Sequence, residues 1–464
     1  MSRIVVVSNR VPVPAGNAGQ AGGLAVALLG LMQQRGGLWF GWSGAVTEQA
    51  GGPDVVQRGA IGYATIDLTE AEHGGYYTGY SNGVLWPMLH GLPHLMAFRR
   101  QDLDTYRRVN RRFAESLVPL LRQDDRIWVH DYHLLSLPAA LRARGMRGPT
   151  GFYLHVPFPA PDAAATAPGI RGLVEDVLKA DLIGFQTTTD RDNFAAAAQG
   201  FAGAAQVADQ MLELGGRPIR LGVFPAEIAA QEFARTAAVQ VQAEPARLLA
   251  RSLGDQALVL GVDRLDPTKG LPERLEAFRR TIARRPARSL AMLQIAAPSR
   301  EDVLAYRRLR QEIDLAAGAI NSDFGEPDWL PLRLLARSQT RDTVAGFMRM
   351  ARVGMVTPLR DGMNLVAKEY IAAQDPRDPG VLVLSRFAGA AAQLSSALLV
   401  NPHDAEGMAE AIQRALDMPL AERRERWEAA WAAIAGTSPE AWGEAFLEAL
   451  VPGELAALPA AGHA

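Results

Sequence analysis

Short runs of consecutive apolar, often β-branched residues recur along the chain, and longer stretches with apolar positions at helical spacing separate them. Arg3–Ser8 (RIVVVS) reads as a buried strand, and Gly22-Gly23-Leu24 opens an apolar helix that runs to about Gln34. Arg126–His130 (RIWVH), Gly151–His155 (GFYLH) and Asp181–Phe185 (DLIGF) are further buried strands, spaced by helical patterns over Leu103–Leu121, Leu134–Arg144 and Ile170–Lys179. The pattern then restarts. After Val223-Phe224-Pro225 comes one Ala/Gln-rich helical stretch over about 229–253. Strands follow at Ala257–Val262, Ala291–Ala296, Arg352–Thr357 and Gly380–Leu384, with a helix at Pro272–Arg285, and Asp404–Leu450 is helical. Apolar strands between helices imply parallel sheets covered on both faces. The fold class is therefore α/β, with two doubly wound domains. We expect a first domain over 1–240 and a second over 241–450, with the final helices packing back on the first and a frayed tail at 451–464. Ligands of such sheets bind beyond the carboxyl ends of the strands, here in a cleft between the two facing edges.

Composition narrows the chemistry. The 464 residues carry 48 basic against 50 acidic groups, a net charge of −2, so no global field exists to hold nucleic acid or an anionic membrane. Phosphate on a small ligand would have to be met by local cations. There is no cysteine, which excludes thiol catalysis, disulfides and thiolate metal sites and fits a reducing cytoplasm. No apolar run reaches the ~20 residues of a membrane helix. Only three of the 48 basic residues are lysines: Lys179, Lys269 and Lys368. In a chain that otherwise writes positive charge as Arg, a retained Lys marks a place where a compact point charge is useful.

The strand ends hold the candidate chemistry. Asp263-Arg264-Leu265-Asp266-Pro267-Thr268-Lys269-Gly270 sets two cations, Arg264 and Lys269, on one loop before a helix, a suitable seat for a diphosphate. The same loop also fits a solvated Asp–Arg pair. Thr357-Pro358-Leu359-Arg360-Asp361-Gly362-Met363-Asn364 leads into a helix at Leu365. There Asn364 fits a helix cap, the N–H groups of about 363–366 face the ligand, Asp361 suits sugar hydroxyls and Glu369 suits a ribose. Both acids would equally stabilise a helix start. In the first domain Asn9-Arg10 ends a strand, Gly22-Gly23 lets backbone approach a ligand, and Asp131 and His155 end two more strands. His130 and His133 have a spacing seen in metal pairs, but no third ligand stands out. No Gly-x-Gly-x-x-Gly fingerprint follows any strand. These residues alone describe a two-domain group transferase for phosphate-bearing ligands.

Across most of its length the chain resembles the trehalose-6-phosphate synthase family. The matching segments include VVVSNR (5–10), GGL (22–24), GGLWFGWSG (36–44), SNGVLWP (81–87), RVNRRFA (108–114), WVHDYHLL (128–135), HVPFP (155–159), GFQT (184–187), DRLDPTKGLPERL (263–275), TPLRDGMNLVAKEY (357–370) and AAQDPRDPGVLVLSRFAGAA (372–391). The resemblance implies a GT-B architecture of two Rossmann-like domains. It implies a retaining glucosyltransferase that moves glucose from UDP- or GDP-glucose to glucose 6-phosphate, releasing α,α-trehalose 6-phosphate and a nucleoside diphosphate.

By the same resemblance Arg264 and Lys269 hold the diphosphate. Met363, Asn364, Leu365, Val366, Ala367, Lys368 and Glu369 hold the nucleotide, with Glu369 on the ribose. His155 and Asp361 grip the transferred glucose, with Gly22 and Gly23 near the reacting centre. Arg10 and Arg300 match the acceptor-phosphate positions, and Tyr77, Trp86 and Asp131 match the acceptor sugar contacts. Asp131, His155, Arg264, Lys269 and Asp361 form the expected catalytic set. No cofactor or metal is implied, since the cations are protein groups. The partners are the small-molecule substrates, not nucleic acid or membrane, and a homo-oligomer is among the assembly states the sequence admits.

Three places depart from the family, one of them the run Pro161–Gly169 (PDAAATAPG), which is unusually poor in bulky side chains. Phe224-Pro225-Ala226-Glu227-Ile228-Ala229 stands where the family usually reads Phe/Tyr-Pro-Ile-Gly-Ile-Asp/Glu, which touches the domain junction. Gln339 stands where some relatives carry a Phe near the nucleotide base, which leaves uracil, guanine and adenine open. A relative with another acceptor, such as a pseudo-glycosyltransferase or a glucosylglycerol-phosphate synthase, would keep the same motifs. A non-catalytic binding protein of this fold would not need all of them.

Overall fold

A computed structural model describes residues 2–13 and 23–451 of the chain. The expected tail at 451–464 lies outside it apart from Val451, and so does Gly22. The chain divides into two units: Met1–Ala226 together with Pro439–Ala464, and Glu227–Ser438.

The first unit is built on a sheet in the order β3-β4-β2-β1-β5-β6-β7-β10-β9-β8. Its strands are β1 (Ile4–Arg10), β2 (Gly37–Thr47), β3 (Asp54–Arg58), β4 (Ile61–Thr69), β5 (Arg126–His130), β6 (Thr150–Tyr153), β7 (Leu182–Phe185), β8 (Ala205–Ala208), β9 (Met211–Leu214) and β10 (Arg217–Val223). The run from β4 through β2, β1, β5, β6 and β7 to β10 is parallel, and antiparallel strands are added only at the two edges. Val5, Val6 and Val7 of β1 are wholly buried, as a central strand covered on both faces requires.

The second unit carries a six-stranded sheet, parallel throughout, in the order β13-β12-β11-β14-β15-β16. The strands are β11 (Ala257–Arg264), β12 (Leu290–Ala297), β13 (Leu332–Leu335), β14 (Val353–Val356), β15 (Val381–Ser385) and β16 (Leu398–Val400). Alternate residues feed opposite faces: Leu258 and Leu260 join one buried cluster, Val259 the other. Both units are Rossmann-like, and the α/β class expected from the apolar strands holds.

The division differs from the expected one. It falls after Ala226, inside the unusual Phe224–Ala229 stretch, and not at 240/241. The expected single helix over 229–253 is two, Ala230–Gln240 and Glu244–Leu253, and the first of them buries Phe233 and Ala237 in the second unit's core. Of the final helices, Ala405–Asp417 and Leu420–Ile434 stay with the second unit, and only Pro439–Leu450 belongs to the first. That last helix stacks Phe446 on Trp128, with ring centroids 4.6 Å apart. A Cβ at Gly151 or Gly184 would fall 2.6 or 2.7 Å from the Phe446 ring, so two strand glycines make its seat. Trp442 beside it donates from Nε1 to the carbonyl of Phe224 at 3.0 Å.

Sequence patterning also missed β2, β3 and β4 and the helical segment after them. His73–Leu85 winds as a π-helix before one α-turn at Trp86–Leu89. Such winding is rare at this length and is associated with functional sites. Among the described residues no helix is long and apolar enough to cross a membrane.

Candidate functional site

In the first unit the chain leaves β1 for β2 on one side and later resumes at β5 on the other. The reversal makes a switch point between β1 and β5, where ligands of such sheets bind. Arg10 is the exposed last residue of β1, with its guanidinium carbon 6.0 Å from the Trp42 ring. Tyr77, from the π-helix, meets the other side of the cluster: its ring lies 5.6 Å from Trp42 and is stacked 5.8 Å from His133. Tyr76, its neighbour, donates its hydroxyl to Asn9 Oδ1 at 2.8 Å and so ties the π-helix to the end of β1. Trp86 is buried against Tyr132, 5.5 Å away.

Asp131 follows β5 directly. Its N–H donates to the carbonyl of Tyr153 at 2.8 Å, and its Oδ1 accepts the backbone N–H of His155 at 3.3 Å. His155 lies two residues past the end of β6, not inside the strand as expected. Its Nε2 is 3.0 Å from Nδ1 of His130. Burial depresses the pKa of both rings, that of His155 to about 3 and that of His130 well below the ordinary range, and the nearby His155 lowers His130 further. Gly23 begins the helix Gly23–Arg35.

The second unit has its own switch point, between β11 and β14. Arg264 ends β11, and Arg300 follows β12. Both turn toward one fully buried carboxylate, Asp266: Arg264 Nη2 is 3.8 Å and Arg300 Nη1 3.4 Å from its Oδ2. Tyr306 donates its hydroxyl to the same oxygen at 3.0 Å, and Thr268 donates its N–H to Oδ1 at 3.0 Å. Burial alone would raise the pKa of Asp266, but Arg300, Arg264 and Lys269 outweigh it and leave the carboxyl far below its ordinary value.

Lys269 is ion-paired with Asp361, whose Oδ2 also accepts from Asn364 Nδ2 at 3.0 Å. Gly270 has φ +63°, and a Cβ there would stand 2.5 Å from the Thr357 carbonyl. At Gly389 a Cβ would stand 1.9 Å from the Gly362 carbonyl. These two glycines allow the loops carrying Lys269 and Asp361 to close on their neighbours. Beneath them Arg274, wholly buried, pairs with Asp263 and donates to Thr357 Oγ1 at 3.0 Å and Gln294 Oε1 at 3.1 Å. It thus braces the ends of β11, β12 and β14 together.

Several expectations need correction. Asn364 does not cap the helix Leu365–Ala373 with its side chain. Its backbone is left-handed, at φ 75°, and its amide is spent on Asp361. Lys368 cannot offer its side chain to a nucleotide. It is wholly buried, and its Nζ donates to Glu227 Oε2 at 2.7 Å, because an interior cation needs a partner. Gln393 and Thr437 complete the cage around Glu227, at 2.9 and 3.0 Å. Burial lowers the Lys368 pKa against the pull of Glu227. Glu369 is half-buried and paired with Arg341 at 3.0 Å, and burial raises its pKa. Met363 and Ala367 are buried, while Leu365 and Val366 are half-buried. Gln339 lies in the loop ahead of the helix Arg341–Met350. Among the described residues no group of three or more His, Cys, Asp or Glu could hold a metal.

Backbone conformation offers an independent pointer. Among the described residues the non-glycine positions of positive φ are Asp131 (75°), Arg288 (60°), Arg300 (47°) and Asn364 (75°). Three of the four are residues that the sequence had singled out, and such backbone strain concentrates at functional sites.

The family model of Glycosyltransferase family 20 matches residues 2–451. The chain belongs to glycosyltransferase family 20. A trehalose-6-phosphate synthase of Sinorhizobium fredii is 47% identical to this family 20 chain over 436 residues, 92% of this chain and 93% of the relative. An α,α-trehalose-phosphate synthase (UDP-forming) from Burkholderia xenovorans, solved in complex with glucose-6-phosphate, is similar with a TM-score of 0.93 and 43% identity, over 97% of this chain and 100% of that one. An Escherichia coli structure bound with UDP-2-fluoro glucose is similar with a TM-score of 0.92 and 42% identity, over 97% and 99%.

For this family 20 enzyme, sequence reasoning missed Tyr306, Arg341, Arg274 and Glu227 as partners of the site. Asp266 was visible between Arg264 and Lys269, and its place between two cations was the available signal. Arg274 stood inside the DRLDPTKGLPERL run and Glu227 inside the atypical Phe224–Ala229 stretch, whereas Tyr306 and Arg341 come from distant segments and leave no local trace.

Proposed function

We propose that this family 20 glycosyltransferase moves glucose from UDP-glucose to glucose 6-phosphate with retention, giving α,α-trehalose 6-phosphate and UDP. One observation carries the reading: at the β11–β14 switch point Arg264, Arg300 and Lys269 converge on Asp266 and Asp361. The UDP-forming and glucose-6-phosphate-bound relatives support uracil as the donor base and glucose 6-phosphate as the acceptor.

In this proposal Arg264 and Lys269 hold the donor diphosphate, with help from the first-turn N–H groups of Leu365–Ala373. Glu369 takes the ribose once Arg341 yields it. Asp361 and His155 hold the transferred glucose. Arg10 and Arg300 take the acceptor phosphate, and Tyr77, Trp86 and Asp131 the acceptor ring. The bond from the anomeric carbon to the diphosphate oxygen breaks with its electrons on that oxygen, where Arg264 and Lys269 stabilise the charge. An acceptor hydroxyl oxygen bonds to the same face of that carbon, and its proton passes to the departing phosphate oxygen. No metal is required, because the neutralising charges are guanidinium and ammonium groups. A cytoplasmic location belongs to the same proposal, supported by the absence of cysteine.

The test is to incubate purified protein with glucose 6-phosphate or glycerol phosphate as acceptor and UDP-, GDP- or ADP-glucose as donor, with and without EDTA, and to measure nucleoside diphosphate and the glucosylated phosphate product. The expected result is UDP and trehalose 6-phosphate in equal amounts, unaffected by EDTA. Product only with glycerol phosphate as acceptor, or no transfer at all, would refute the assignment.

A further inference from the structure

His130, the last residue of β5, faces His155, two residues beyond the end of β6. Their rings are nearly parallel, 25° apart with centroids at 5.3 Å, and His130 Nδ1 lies 3.0 Å from His155 Nε2. A single hydrogen must lie between the two nitrogens, since burial keeps both rings neutral and a neutral imidazole carries one N–H. His130 is wholly buried, and its remaining nitrogen, Nε2, has no partner. Trp128 and Trp442 wall it in, at 4.4 and 6.5 Å between ring centroids.

Two arrangements are open to the shared hydrogen. If His155 Nε2 carries it, His130 accepts at Nδ1 and must bury an N–H at Nε2 with no acceptor. If His130 Nδ1 carries it, Nε2 is left as a bare lone pair. An orphaned interior donor is the rarer condition. The hydrogen therefore belongs to His130. His155 accepts at Nε2 and holds its own hydrogen at Nδ1. That nitrogen is not among the buried polar atoms lacking a partner, and His155 is only half-buried where His130 is wholly so.

We infer that His130 is a positioning residue that donates from Nδ1 to His155 Nε2, fixes His155 as the Nδ1–H tautomer, and makes it a hydrogen-bond donor to the transferred sugar rather than a base. The sugar contact rests on the function proposed above; the tautomer does not.

Nitrogen-15 spectra of histidine-labelled enzyme test the tautomer directly, with His130→Asn and His155→Asn used to assign the signals. The expected pattern for His155 is a protonated Nδ1 and a bare Nε2, and the reverse pattern overturns the inference. Kinetics test the positioning. His130→Asn sets an amide donor near the Nδ1 position and keeps kcat within about threefold, whereas His130→Phe keeps a ring without a donor and lowers kcat by about 10- to 100-fold, with KM for glucose 6-phosphate unchanged. Equal losses in the Asn and Phe variants overturn the donor role, and should the Phe variant not fold, the spectra of the wild-type enzyme still decide the tautomer. Full activity in His155→Ala would instead remove His155 from the reaction, while the spectra would still report its tautomer.

Discussion

The two switch points are built from opposite materials. At the end of β11 and β14 the second unit gathers Arg264, Arg300 and Lys269 around Asp266 and Asp361, with Arg274 buried beneath on Asp263. At the end of β1 and β5 the first unit gathers Tyr77, Trp42, Trp86 and two neutral histidines, with Asp131 the carboxylate at the strand end. The physical demands differ accordingly. A diphosphate needs charge whose orientation is fixed before the ligand arrives. A sugar ring needs flat apolar faces and a few directed hydrogen bonds. The charged end holds its cations through carboxylates, whereas the aromatic end holds its polar groups through packing; strained backbone serves both, at Arg300 and Asn364 in one and at Asp131 in the other.

Breaking the charged end should do the most harm. Asp266→Asn removes the carboxylate on which two guanidiniums converge, and unfolding by denaturant should show a loss on the order of 3 kcal/mol. A variant as stable as the parent would mean that the cluster is not coupled through Asp266. Lys269→Ala should lower kcat by about 10²-fold with UDP-glucose, since it removes a preorganised charge and leaves Asp361 without its partner. Unchanged kinetics would place the diphosphate elsewhere. Arg300→Ala sharpens the comparison: it should raise KM for glucose 6-phosphate by about tenfold, the value of one charge-assisted bond. A rise confined to the donor KM would assign Arg300 to the nucleotide sugar.

The remaining effect belongs to the aromatic end and appears as acid sensitivity. Unfolded, His155 binds its proton near pH 6.5; folded, only near about pH 3. Between those values the unfolded chain binds more protons, so this contribution to stability is complete above 6.5 and is lost as pH falls toward 3. Urea midpoints measured through that window should fall less steeply for His155→Asn than for the parent, and parallel curves would show that the ring is not held neutral.

Much of this was legible in the chain. The apolar runs at Arg126–His130 and Ala257–Val262 gave away central parallel strands, and the residues just beyond them, Asp131 and Arg264, lie at the switch points. The motif resemblance led to the family that the whole-chain match then established. The β2–β4 region was not legible, because the edge strand β3 is exposed along its whole length and the π-helix after β4 follows neither simple period. The break after Ala226 was legible only as an atypical Phe224–Ala229 stretch at the junction, because Glu227 shows its purpose only through Lys368, 2.7 Å away in space and far off in the chain.

The sequence by itself determined which side chains are present at the strand ends and, through hydrophobic periodicity, that those ends belong to doubly wound sheets, since both follow from local order. Only the tertiary structure decided how those side chains are spent. It tied Arg300 and Arg264 to one carboxylate, withdrew the Lys368 side chain to Glu227, and set His130 against His155. The reason is that a buried charge or imidazole takes its state from whatever folding brings within about 4 Å, and that neighbour is seldom a neighbour in the chain.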